Sequence, residues 1–123
     1  MTMIRREPDH ALRGYPCSIV AVSCALKSIP SNLPRLRNDG WASLEVANKF
    51  IRAHLPVKKK VYFKRGMRPR LRDFHVHGTA IICVYGHLIY VDHEEYYSFF
   101  DNLNDEVVCV WLLKEQENGL KLV

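Results

Sequence analysis

Hydrophobic positions are patterned differently in the two halves of the chain. From Pro16 to Lys27 (PCSIVAVSCALK) apolar residues occupy nearly every side of a helical projection, which predicts a helix of about three turns buried by the rest of the domain. Pro16 suits the first turn, where its missing N–H costs nothing. After a Pro- and Asn-containing loop, Ser28 to Gly40, a second helix is expected from about Trp41 to Leu55. Leu44, Ala47, Phe50 and Ile51 form its apolar stripe, Glu45, Lys49 and Arg52 lie outside it, and Pro56 ends it.

The period then changes to that of strands. Val57 to Lys64 settles into Val61 and Phe63 against Tyr62 and Lys64, with a lysine-rich entry suited to a sheet edge. Gly66 to Phe74 reads as a basic connection or short helical turn. Three strands follow closely, Thr79 to Tyr85, His87 to Asp92 and Tyr96 to Phe100, with His93-Glu94-Glu95 as the turn between the last two. Val107 to Leu113 (VVCVWLL) is a fourth, central in position. Short connections make antiparallel meanders. The expected architecture is therefore α+β, an N-terminal buried helix and a second helix packed on an antiparallel sheet of about five strands.

With 123 residues, 48% hydrophobic and 25% charged, the chain can bury one core and reads as a single domain over 1–123. No apolar stretch approaches the roughly 18 residues of a membrane span, and the charges of Met1 to Pro8 precede no signal-like apolar core. A cytoplasmic protein is expected, or one in the host cytoplasm if phage-encoded, with no membrane partner. Cys17 and Cys24 lie seven apart on one helical face, and Cys83 and Cys109 lie inside apolar runs. Such positions suit reduced thiols in a reducing compartment.

Charge is unevenly distributed. Arg52 through Arg72 holds nine Lys and Arg residues and no acid, whereas Asp92 to Glu106 holds six acids and no Lys or Arg. The basic block can face an acidic protein or nucleic acid, or the two segments can compensate each other as edges of one sheet.

The chemistry lies at element ends. Cys17 falls in the predicted first turn of a helix, where unpaired N–H groups and the macrodipole favour a thiolate. His87 follows Gly86 at a strand start, from which a rigid strand can hold its imidazole as general base. A third group must accept the second imidazole N–H. Asp101 can return to His87 through the hairpin, with Asn102 as the neighbouring alternative. Zinc is a competing use of His75, His77 and His87, but no CxxC or HxxxH element supports it. No metal and no cofactor is expected.

Gly14-Tyr15-Pro16-Cys17 with its apolar helix, followed by GHLIYVDHEEYYSFFDN (Gly86 to Asn102), resembles the papain-like cysteine peptidase superfamily. The likeness is to its short forms, such as bacteriocin-processing peptidases and small phage-encoded papain-like proteins, and covers about residues 10–113. The resemblance implies a papain-like fold and a Cys17-His87-Asp101 triad, with Cys17 as nucleophile, His87 as general base and acid, and Asp101 as orienting residue. It implies hydrolysis of an amide in a peptide or protein substrate, by peptide cleavage or glutamine deamidation, without a cofactor. A catalytically inactive binding module would keep the same hydrophobic pattern and use the basic block instead. The glutamine that family members often carry before the cysteine is absent from Asp9 to Pro16, leaving the Cys17 N–H, with His10 or Arg13, as oxyanion donors. Ser98 stands where the small phage forms often show an additional acid.

Overall fold

The computed structural model describes residues 3–29, 32 and 43–114. Within them the chain runs β1 (Ile4–Arg6), α1 (Cys17–Leu26), α2 (Leu44–His54), β2 (Val57–Tyr62), β3 (Thr79–Val84), β4 (His87–Asp92), β5 (Glu95–Tyr97) and β6 (Val107–Leu113), with short 3-10 turns at His10–Leu12 and Leu71–Asp73. The α+β class stands, but the sheet has six strands in the order β1-β5-β4-β3-β6-β2. It is mixed rather than wholly antiparallel, because β1 joins β5 in parallel while every other pair is antiparallel.

The unforeseen strand has a simple physical origin. Ile4, Arg5 and Arg6 are all exposed, so no alternation marks them as a strand. Their pairing is a backbone matter, with Ile4 N–H donating to Glu94 O at 2.8 Å and Ser98 N–H to Arg6 O at 3.1 Å. Met3, buried just before, anchors the strand in the core. The strand expected to reach Phe100 ends at Tyr97 because the Ser98 hydroxyl accepts the Phe100 N–H at 3.0 Å and turns the chain.

Each helix is set by its ends. Ser43 caps α2 by accepting the Val46 N–H, the role its hydroxyl favours. The expected start of this helix at Trp41, and most of the Ser28 to Gly40 loop, lie outside the described residues. Pro16 takes the N-cap position of α1, with no side-chain cap bond, and the helix closes at Lys27 in the left-handed region.

Both faces of the sheet are covered, which explains why β3 and β4 read as continuous apolar runs. On one face Ile81, Cys83, Leu88, Tyr90, Cys109 and Trp111 pack against Ile19 and Val22 of α1 and Ala47, Phe50 and Ile51 of α2. On the other, Ile82, Val84, Ile89, Val91, Tyr96 and Val110 are covered by Met3, Leu71 and Val76, with Phe63, Phe74 and Leu103 around them. This second layer is built from connections rather than helices. A register shift opposite Cys83 and Val84 lets both Val108 and Cys109 join the helix-side core. The strand β6 lies between β3 and β2, and the lysine-rich β2 is an edge. Among the described residues no helix is long and apolar enough to cross a membrane.

Candidate active site

The site lies at one end of the sheet, where α1 begins and β4 begins. Cys17 is the first residue of α1, so its thiol sits beside N–H groups that have no partner within the helix. These are the groups that attract an anion. The helix is packed against β4, so its start is carried towards the start of that strand. There Tyr85 and Gly86 make a two-residue turn between Val84 and His87, and Gly86 adopts φ 70°. That backbone favours glycine.

Cys17 and His87 line one cavity of about 290 Å³, with Tyr15, Val20, Leu88, Tyr97, Ser98, Phe99 and Phe100 completing its wall. Its lining is mainly apolar, and Cys17, His87, Ser98 and the two tyrosines are its residues with polar side-chain atoms. Phe99 is held from outside by the Arg13 guanidinium, 4.6 Å from its ring centre. Phe100 meets His87 edge-on, ring centres 5.8 Å apart.

Alternation along β4 puts His87 in the set of Ile89 and Val91, on the face away from α1, although it lines the same cavity as Cys17 at the end of the sheet, and its Nε2 lies 3.5 Å from Ser98 Oγ. Ser98 Oγ–H donates to Asn102 Oδ1 at 2.7 Å, and Asn102 Nδ2 donates to Asp105 Oδ2 at 2.8 Å. Ser98 and Asn102 are buried. The Asp101 carboxylate, at an exposed position, accepts the Leu103 N–H at 3.0 Å and the Tyr96 hydroxyl at 3.4 Å. It organises the turn after β5, while the hydrogen bond at the imidazole goes to Ser98. The sequence marks Ser98 only as a departure from an acid. Asp105 carries no signal apart from its place in the acidic segment.

His10 and Arg13, considered as oxyanion donors, both pair with Glu7, at 3.5 Å and 3.4 Å. That leaves the backbone at the start of α1 for such a role. The remaining thiols lie in surroundings that disfavour the thiolate. Burial pushes the Cys24 thiol up to about 11 and the Cys83 thiol up to about 12, and raises Cys109 as well. None of the four cysteines is in a disulfide.

A second hollow of about 320 Å³ adjoins the first across Tyr97 and carries Glu7, Asp9, Asp92 and Lys27 at its rim. Its carboxylates are already engaged, Glu7 as above, Asp9 with the Ala11 N–H and Asp92 with His93. His75 and His77 are exposed on the connection before β3. Among the described residues no three His, Cys, Asp or Glu side chains converge as a metal site would need.

No family model, curated protein or solved structure matches the chain.

Proposed function

We propose that the protein is a thiol hydrolase of papain-like arrangement acting on amides, in a peptide bond or a glutamine side chain. The observation that carries this reading is the placement of Cys17, first residue of a helix without a side-chain cap, and His87, first residue of a strand, in the wall of one cavity. A thiol at a helix start and an imidazole on a rigid strand are the two groups nucleophilic acyl transfer requires.

In this reading the imidazole takes the Cys17 proton and the sulfur attacks the amide carbonyl carbon. The oxygen, negative in the tetrahedral intermediate, accepts the Cys17 N–H. The imidazolium returns its proton to the leaving nitrogen as the C–N bond breaks. Water, deprotonated by the same imidazole, then attacks the thioester, releasing a carboxylic acid and restoring the thiol. The walls formed by Tyr15, Val20, Leu88, Phe99 and Phe100 favour an apolar group beside the scissile amide.

Iodoacetamide at about pH 6, where ordinary thiols are protonated, tests the reading. Cys17 is expected to be alkylated well before Cys24, Cys83 and Cys109, and His87→Ala to abolish that lead while leaving the fold intact. Equal labelling of all four thiols would remove Cys17 as nucleophile.

A second reading, a binding face for an acidic protein or nucleic acid, is favoured by one observation. None of the nine cations from Arg52 to Arg72 forms an ion pair among the described residues. Lys58, Lys59 and Lys60 stand exposed on the edge strand β2.

A further inference from the structure

Behind His87, three side chains form a line in which each proton has one permitted place. A carboxylate without a proton only accepts hydrogen bonds, so Asp105 Oδ2 must face the amide nitrogen of Asn102, and does so at 2.8 Å. The Asn102 Oδ1 is thereby turned to Ser98, whose hydroxyl donates to it at 2.7 Å. A serine hydroxyl has one proton and two lone pairs. With its proton committed, Ser98 Oγ can only accept, from the Phe100 N–H at 3.0 Å and from His87 Nε2 at 3.5 Å.

We propose that Asp105, Asn102 and Ser98 are positioning residues that hold His87 as the Nε2–H tautomer and leave the Nδ1 lone pair as the base. What Nδ1 does rests on the thiol hydrolase reading; the tautomer itself does not.

Burial gives the line its force. Ser98 is 1% and Asn102 6% exposed, so water is poorly placed to supply a substitute partner. The opposite tautomer would set an imidazole lone pair against a hydroxyl lone pair with no proton between them. The line is also held in place: Ser98 N–H bonds Arg6 O at 3.1 Å, the Arg5 guanidinium donates to Ser98 O at 3.3 Å, and Asn102 N–H donates to the Tyr96 hydroxyl at 3.3 Å. When Nδ1 takes a proton, the Nε2–H stays on Ser98 and no proton moves along the line. The Asp105 charge, relayed by two oriented dipoles, favours the imidazolium that forms.

The test is nitrogen-15 NMR of the intact protein, above the ordinary imidazole titration range, with the His87 signals assigned by their loss in His87→Gln. The native protein is expected to show a pyrrole-type Nε2, a pyridine-type Nδ1 and a directly observed Nε2–H proton protected from rapid exchange. Ser98→Ala and Asn102→Ala each remove that protected proton, the second while keeping the hydroxyl in place. The exchange pair Asn102→Asp with Asp105→Asn restores an oxygen facing Ser98 and a donor behind it, and so restores the proton signal. In the same variants the alkylation lead of Cys17 shrinks by about tenfold, one hydrogen bond's worth of orientation, and returns with the exchange pair. An Nδ1–H tautomer in the native protein, or an Nε2–H signal that survives Ser98→Ala, overturns the proposal. A native Nε2–H signal without early Cys17 alkylation upholds the tautomer and removes the hydrolase reading.

Discussion

At the scale of single residues, burial raises three of the four thiols, Cys24, Cys83 and Cys109. Cys24 and Cys83 stay protonated far into alkali because their surroundings penalise the thiolate, with values near 11 and 12 against an ordinary 9.0. A folded-state value above the unfolded one means that stability is fully present below about pH 9. It is lost as pH rises through the folded values, since the unfolded chain releases those protons first. The thermal midpoint is therefore expected to fall between about pH 9 and 12, and Cys24→Ala to flatten part of that fall in a pH series of melting curves. An unchanged slope in Cys24→Ala would show that this thiol is not shielded as described. Legibility at this scale was uneven. Cys17 and His87 could be singled out because element ends leave a local pattern. Ser98 could not, because its side-chain contacts are with Asn102, four residues on, and with an imidazole distant in the chain.

At the scale of elements, one side-chain bond ties the second helix to the sheet. Trp111 of β6 is fully buried, and its indole N–H donates to Asn48 Oδ1 of α2 at 2.9 Å. Asn48 also accepts from Arg52 Nε at 3.0 Å. Removing the acceptor leaves a buried donor without a partner, so Asn48→Ala is expected to cost about 1–3 kcal/mol in urea unfolding. Adding Trp111→Phe removes the orphaned donor, so the double variant should lose less than the sum of the two single losses. Additive losses would mean that the bond carries no coupling. The amphipathic stripe of α2 and the runs of β3, β4 and β6 were readable because each has a period of its own. The strand β1 was not, since three exposed residues paired through their backbone leave no periodic trace.

At the scale of the whole molecule, charge and topology set the expectations. Among the described residues the acidic segment forms no ion pair with the basic block: Arg70 and Arg72 instead reach the Asn104 carbonyl and side-chain oxygen, and Arg68 lies over Tyr62 at 5.9 Å. If this face serves an anionic partner, single-stranded nucleic acid should bind with an affinity that falls steeply with salt, as counterions are no longer gained by release. Charge reversal at Lys58, Lys59 and Lys60 should then reduce the slope. Binding insensitive to both salt and reversal would exclude the phosphate backbone as what this face recognises. The α+β class was legible from the order of helical and strand-like segments. The two-sided core was only implied by unbroken apolar runs, because its second layer comes from irregular connections that have no period to read.

The position of β6 governs how the molecule can be made. This strand emerges last among those described, yet it sits between β3 and β2. A nascent chain can pair β3 with β4 early, but β2 has no neighbour until Val107 to Leu113 has left the ribosome. The pairings that close the sheet span long stretches of chain and are slow to find. Until then the inner edge of β3 remains open to strands of other chains, a hazard for any protein emerging beside its own copies. Crowded expression should therefore lose material to aggregation during synthesis, and slower translation or a lower temperature should recover it.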